Sequence, residues 1–498
     1  MQHPPPAFPV IRSLPAHPFV SRCPGRGRPG AWKLASALAG ASAALLLMAG
    51  SELRAESPAK PLDLGARREL FVDHFLIEKM NGVDLRLHEP RPAPPMSEPA
   101  NNLEYGTVIK DGDLFRLYTR DARGAKFDGD NTEVTRYCES KDGIHWTRPN
   151  LGLHEIDGSR DNNVILHEKS VCHNFSPFLD TRPGVPPEER FKALAGTILR
   201  NPGGGLLAFA SGDGIHWRKL SDKPVLTKGA FDSQNVSFWS ESEQKYIAYV
   251  RTFTAGVSTA TEWRLDGLRS VSRSTSADFL HWSEPVPLNP NFPGEHIYTT
   301  LTHPYFRAPH ISIALPTRFH PKRGSSTDIL FMTVRGEGSF DRTFREAFIR
   351  PGLDPARWGN RSNYAALNVL PTGPNEMSIY TTPFRRFTLR TDGFASAHGG
   401  ADPGELLTKA FTFEGTELSL NFSTSAGGSV KLEIQDAQGV PLPGYRLEEQ
   451  QPMVGDAIEQ VVVWKDNRDL AALAGKTIRL RFVLQEADVF AMQFRAHR

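Results

Sequence analysis

Five strand-like segments of this 498-residue chain open on polar residues: Glu104-Tyr105, His173-Asn174, Asp232-Ser233-Gln234-Asn235, Glu295-His296-Ile297-Tyr298 and Asn375-Glu376. All but the second bring a carboxylate. Carboxylates that converge on one pocket can hydrolyse a glycosidic bond: one protonates the leaving oxygen while another attacks the anomeric carbon or activates water. Crowding raises the pKa of at least one of them, which keeps a general acid protonated near neutral pH. Asp232, Glu295, Glu104 and Glu376 are therefore the candidate catalytic residues. Asp73, Tyr118, Arg120, His173, Asn235, Arg251, His296, Tyr298, Arg318 and Arg335 lie on or near the ends of expected strands and are the candidates for substrate binding. Arginine can fork onto a pair of sugar hydroxyls or a sugar carboxylate, and tyrosine can stack on a ring face. The competing role for the arginines, above all Arg251 and Arg318, is buried pairing with carboxylates between sheets.

These residues need elements that bring them together from distant places in the chain. A turn recurs after strand-like segments: Ser140-Lys-Asp142-Gly143-Ile-His145-Trp146, Ser211-Gly-Asp213-Gly214-Ile-His216-Trp217 and Ser276-Ala-Asp278-Phe-Leu-His281-Trp282. A weaker fourth copy spans residues 333–340, with Phe340 in place of the Trp. In this pattern the Asp or Ser bonds the turn backbone, Gly takes a positive φ, and the Trp packs between sheets. One His per turn keeps the three histidines apart, so no metal site is assigned to them. The Asp positions are 71 and 65 residues apart, a spacing that fits one four-stranded blade per repeat. Period-2 or short apolar runs at residues 106–109, 114–119, 191–197, 206–210, 236–239, 245–250, 311–315 and 329–334 supply the strands. Residues from about 62 to about 383 then hold about five blades, with the strand at residues 69–78 closing the ring. After residue 386 the texture changes to alternating strands at residues 418–422, 430–434, 458–464 and 478–484, joined by turns such as Ala426-Gly-Gly-Ser429. A segment of this kind suits a β-sandwich. The expected fold is all-β: a five-bladed β-propeller at residues 56–385, followed by a C-terminal β-sandwich at residues 386–498.

Composition narrows the classes further. Lys+Arg of 58 against Asp+Glu of 56 gives a net charge of +2, and no basic arm stands out, which excludes nucleic acid as a partner. Arg22, Arg26, Arg28 and Lys33 precede an apolar run at residues 34–50. Residues 1–55 therefore read as an export signal with a long basic leader, cleaved near Ala55, with a retained N-terminal anchor as the alternative. The mature chain is expected to be secreted or periplasmic, with no membrane span. Cys138 and Cys172 remain after cleavage, as buried thiols or one disulfide, with the thiols favoured. There is no Gly-x-Ser-x-Gly elbow, His-Glu-x-x-His, phosphate loop or dinucleotide fingerprint. The expected chemistry requires no cofactor, although a Ca²⁺ on the propeller axis would suit the acids with His173 or His296.

With the turns and strand openings laid out, the chain resembles the secreted bacterial proteins described as glycosyl hydrolase family 32/43-like five-bladed β-propellers. The resembling segments are Glu69-Leu-Phe-Val-Asp-His-Phe-Leu-Ile-Glu78, residues 140–153, 231–251 and 297–319, and Ala347-Phe-Ile-Arg-Pro-Gly352. The resemblance implies a base or nucleophile in the first blade, an assisting Asp and a Glu acid further on. By blade order these fall on Glu104, Asp232 and Glu295, with Glu376 in reserve. Glu104 stands where those families carry Asp, and no Arg-Asp-Pro surrounds Asp232. The expected function is an exported glycoside hydrolase acting on a plant or algal polysaccharide or oligosaccharide. The alternative is a non-catalytic propeller that binds glycans or a protein, with its acids paired to arginines.

Overall fold

The computed structural model describes residues 60–96, 103–196, 204–259, 262–465 and 469–497. The expected export segment and Cys23 lie outside the described residues. Lys60–Arg498 forms one compact unit. It is all-β: its only helices among the described residues are short 3₁₀ turns, the longest being Pro355–Trp358. No described helix is long and apolar enough to cross a membrane.

Five sheets follow one another along the chain, each an antiparallel meander. The first holds Thr107–Asp111, Leu114–Asp121 and Val134–Ser140, with Trp146–Thr147 and Val164–Leu166 alongside the third strand. The second holds Ser176–Leu179, Phe191–Ala195, Leu207–Ser211 and Arg218–Lys219, and the third Val236–Ser240, Lys245–Ser258, Trp263–Ser276 and Val286–Pro287. The fourth pairs His303–Tyr305, Ala308–Ala314 and Met332–Arg335, with a side sheet of His296–Ile297, Thr317–His320 and Ser326–Ile329. The fifth pairs Leu370–Pro371, Glu376–Thr381 and Arg385–Arg390, and its outer strand is Arg91–Pro92 from far upstream. Residues 109–110, 178–179, 237–239, 302–306 and 367–370, in or next to the first strands, line one largely apolar cavity of about 330 Å³.

The repeated turns interlock these sheets. Ser140 Oγ donates to Asp142 Oδ1 and accepts from the Gly143 N–H, both at 2.9 Å, while Asp142 Oδ1 accepts the His145 N–H at 2.8 Å. The same bonds recur at Ser211/Asp213 and Ser276/Asp278. Each imidazole bonds the other oxygen of its own Asp at 2.7 Å, so each histidine serves its own turn. Tyr380 of the fifth sheet donates to the Gly143 carbonyl of the first at 2.8 Å, and Tyr118 of the first donates to Gly214 O of the second at 3.0 Å. Tyr118, expected to bind substrate, is thus a packing residue.

Gly143 and Gly214 sit at φ +72° and +75°, and a Cβ on either would come within 2.6 Å of that tyrosine hydroxyl. Gly143→Ala and Gly214→Ala are each expected to cost about 1–2 kcal/mol through the left-handed backbone alone, read as a lowered Tm; an unchanged Tm contradicts this docking. In the third turn Phe279 takes φ +70° instead. Its wholly buried ring packs against Phe178 and Tyr246, at 5.6 and 5.2 Å between centroids.

His303 sits in the wall of the cavity. Its Nδ1 donates to Leu301 O (2.8 Å) and its Nε2 accepts the Val369 N–H (3.1 Å), which fixes a neutral ring. Burial pushes its pKa down to about 4, whereas the unfolded chain returns it to about 6.5. Between those values the unfolded state binds the proton and the native state does not. Stability is therefore full above about pH 6.5 and is expected to fall by up to about 3 kcal/mol as pH drops towards 4. Burial shifts His88 and His296 the same way. Denaturant midpoints across this range check the slope; a flat profile contradicts it.

A ten-stranded sheet holds the rest of the chain: Leu62–Asp63, Arg68–Leu70, Ile77–Asn81, Val83–Leu87, Ala395–Gly399, Gly404–Thr408, Phe411–Thr412, Glu417–Asp436, Asp456–Val461 and Ile478–Arg495. It packs around Phe71, Phe413, Phe482, Phe494 and Trp464. Three sequence expectations change here. The strand within residues 69–78 does not join the fifth sheet: Arg68–Leu70 pairs with Ile478–Arg495, and Arg91–Pro92 is the strand that pairs with Arg385–Arg390. Residues 60–87 therefore belong with the C-terminal sheet, and Arg385–Arg390 belongs with the fifth sheet, so the expected boundary at 385/386 moves. Ala426–Ser429 is a bulge inside one strand and not a hairpin turn, since the pairing of Glu417–Asp436 to Ile478–Arg495 resumes beyond it.

Cys138 and Cys172 are buried thiols, and burial pushes their pKa values to about 12 and about 11.

Candidate functional site

At the opposite end of the first strands from the apolar cavity, their opening residues converge on an aromatic cluster of Tyr105, Tyr298, Phe319 and Tyr364, all buried. Tyr105 and Tyr298 each meet Tyr364 edge-on, at 5.9 and 5.8 Å, and His173 meets Tyr105 at 5.5 Å. Tyr105 adopts φ +56°, a strained conformation for an aromatic residue of the kind that gathers at functional sites.

Two carboxylates bracket this cluster. Asp232 pairs with Arg251, whose Nε also donates to Ala230 O at 2.9 Å and whose guanidinium lies 4.9 Å from the Tyr298 ring. Glu104 lies 3.5 Å from Arg120, which makes its closer contact to Glu133 at 2.6 Å and sits 5.9 Å over Tyr105. Asp232 is 30% and Glu104 21% exposed, so both reach solvent from a buried frame. Burial works against ionisation of Glu133, yet His173 and Arg120 hold it below the usual carboxylate range.

Cations crowd the other side. The long third-sheet hairpin sets Arg269 directly across from Phe253, and its guanidinium stacks 5.5 Å from that ring, 5.2 Å from Tyr298 and 4.8 Å from Phe319. Arg361 lies 5.8 Å from Tyr298 and lines, with Glu104, Arg357 and Arg385, a cavity of about 340 Å³. Their field is visible on the phenols: burial pushes Tyr105 and Tyr364 well above the ordinary tyrosine value. For Tyr298 burial acts in the same direction, but Arg251, Arg361 and Arg269 outweigh it and bring the group below that value.

Of the residues expected from sequence, Glu104, Arg120, His173, Asp232, Arg251 and Tyr298 meet here, with His296 at the edge, its Nδ1 accepting the Arg269 N–H at 3.1 Å. The others lie elsewhere. Glu295 is clamped by Arg342 through two bonds of 2.9 and 3.1 Å, with Arg318 at 3.9 Å, and Arg318 itself is spent on Asp328. Glu376 opens the second strand of the fifth sheet, not the first, so it faces a different cavity with His88, Arg390 and Asp488, and pairs with Arg386 at 2.9 Å. Asp73 and Arg335 pair at 2.9 Å and, with Glu69 and His310, tie the ten-stranded sheet to the fourth. Asn235 braces its own turn through Phe231 O and Ser233 O. Sequence reading missed Glu133, Arg269, Arg361 and Tyr364. Arg269 sits in a polar hairpin arm that reads as loop, and Arg361 and Tyr364 in an irregular segment without periodicity. Among the described residues no group of three or more His, Cys, Asp and Glu side chains could hold a metal ion.

No family model matches the chain, and no curated protein matches it. Among solved structures the chain is similar to one described as a glycoside hydrolase, at 13% identity and TM-score 0.41, covering 61% of this chain and 92% of that one. A glycoside hydrolase family 43 arabinoxylan arabinofuranohydrolase from Bacillus subtilis is similar at 12% identity and TM-score 0.37, covering 79% and 96%. An N-acetylgalactosamine deacetylase from F. plautii is similar at 11% identity and TM-score 0.41, covering 80% and 95%.

Proposed function

We propose that this chain is an exported glycoside hydrolase, secreted or periplasmic, whose five sheets form the blades of a propeller and whose ten-stranded sheet is an accessory sandwich. The observation that carries the reading is the pair Glu104 and Asp232: two partly exposed acids on either side of a buried aromatic cluster, at the end of the first strands where those strands open. Rings and guanidinium groups give a sugar a stacking face and a bonding rim. The two acids have different settings, which is how one site runs acid and base chemistry together. Asp232, paired with Arg251, serves as base or nucleophile. Glu104, 3.5 Å from Arg120, donates the proton to the leaving oxygen. The substrate is a plant or algal polysaccharide or oligosaccharide, and this chemistry needs no cofactor.

A second reading, a non-catalytic glycan-binding propeller, is favoured by one observation: Glu104, Asp232, Glu295 and Glu376 all carry an arginine partner. An activity screen of the purified protein against aryl glycosides and plant and algal polysaccharides separates the two. Release of reducing sugar supports the hydrolase; retention of glycan by a folded protein that releases none supports the binding module.

A further inference from the structure

Resting on the reading of this mouth as the sugar site, we propose that the sugar it takes is acidic, its carboxylate or sulfate held between Arg269 and Arg361 above Tyr298. Arg251 is committed to Asp232, Arg120 to Glu133 and Arg385 to Asp354. Among the described residues, no carboxylate lies in ion-pairing distance of Arg269, Arg357 or Arg361. Arg269 Nε is buried with no acceptor, as is Arg357 Nη2. Burial and then the neighbouring Arg251 lower the pKa of Arg269, and burial with Arg385 brings Arg357 to about 10. An uncompensated guanidinium in a partly buried site is costly unless an anion completes it.

The geometry fits such an anion. Arg269 and Arg361 approach the same tyrosine ring, at 5.2 and 5.8 Å from its centroid, and a planar carboxylate or a sulfate can accept from both forks. Glu104 and its neighbours Glu133 and Asp128 lie on the other flank, around Arg120. The mouth is therefore acidic around Arg120 and basic around Tyr298, with Glu104 at the join, since it also lines the cavity of Arg357, Arg361 and Arg385. A neutral sugar would leave the basic half unanswered; an acidic one answers it while presenting its glycosidic oxygen to the acids. Arg361 also holds φ +56°, a backbone strain that fits a residue placed for a ligand.

The test is calorimetric binding to the full chain of three matched sets of methyl glycosides: neutral hexosides, the corresponding hexuronides, and 6-sulfated hexosides. At least one anionic set is expected to bind on the order of tenfold or more tightly than its neutral counterpart, with the affinity falling as salt rises. Which set binds decides between carboxylate and sulfate. Arg361→Gln and Arg269→Gln are each expected to remove most of that preference, weakening the anionic set far more than the neutral hexosides, and Arg361→Lys to restore part of it. Equal binding of neutral and anionic probes, or a preference unmoved in both glutamine variants, overturns the proposal, as does no binding of any anionic probe by the folded protein. Turnover of a neutral glycan without an anionic preference sinks this inference and keeps the hydrolase; anionic binding without turnover does the reverse.

Discussion

Glu104→Gln is expected to lower turnover on the order of a thousandfold while leaving the melting temperature nearly unchanged. The loss follows from removing the proton donor, a contribution typically of about 10²–10⁴ in rate. Arg120 is not stranded by the change, because it keeps its 2.6 Å contact with buried Glu133. Glu295→Gln should behave in the opposite way. Its carboxylate anchors Arg342 through two bonds and caps the Phe292 N–H at 3.1 Å, so the variant should lose about 2–4 kcal/mol of stability yet keep wild-type turnover per folded molecule. Steady-state rates beside denaturant melts of both variants check the pair. A Glu104→Gln enzyme within a few-fold of wild type, or a Glu295→Gln enzyme that folds normally and is inactive, would exchange the roles assigned here. Asp232→Asn is a less clean test, because it also strands buried Arg251.

The largest effect on stability is expected at Asp392, far from the mouth. Its wholly buried side chain accepts from Tyr305 Oη and Arg307 Nη1, both at 2.7 Å, from Asn421 Nδ2 at 3.0 Å and from Arg68 at 3.5 Å. Arg68 and Asn421 belong to the ten-stranded sheet and Tyr305 to the fourth, so this one carboxylate joins the two layers. Asp392→Ala removes the acceptor of the Tyr305 phenol, of Asn421 Nδ2 and of one nitrogen on each of Arg307 and Arg68, whose other ends stay on Glu459. The cost of breaking such a buried set is about 3–5 kcal/mol, a large part of the stability of an ordinary domain. Urea unfolding should show the midpoint falling steeply in Asp392→Ala; a change under about 1 kcal/mol would mean that water and Glu459 take over from the carboxylate.

The parts of this molecule that the sequence made legible are the ones governed by local chemistry. The Ser-x-Asp-x-x-His-Trp turns bond as their residue types demand, and where a turn copy marks the sheet, the expected opening residues fall at the cluster: Glu104-Tyr105, His173 and Asp232. Register failed where the turn is lost. In the fourth sheet Tyr298 of the expected opening reaches the cluster while Glu295 faces Arg342, and in the fifth Glu376 opens the second strand while Tyr364 joins the cluster. A short strand offers no second signal to correct a misplaced start. Pairings across hundreds of residues were likewise hidden. Nothing in Arg68–Leu70 announces that Ile478–Arg495 is its partner, or that Arg91–Pro92 belongs beside Arg385–Arg390. The guanidinium groups of Arg269 and Arg361 were invisible for a related reason: in a polar hairpin and an irregular segment, an arginine that faces solvent and one that faces a site look alike.

The central claim is that sugar is bound and cleaved between Glu104 and Asp232, over the tyrosine cluster. The most direct measurement is a crystal structure of Glu104→Gln soaked with a glycan that the wild-type protein cleaves or retains. A sugar ring seated against Tyr298 with its glycosidic oxygen at residue 104 and its anomeric carbon towards Asp232 is the predicted result. A sugar lodged instead in the cavity beside Glu376 or on the ten-stranded sheet, with the tyrosine mouth empty, would contradict it.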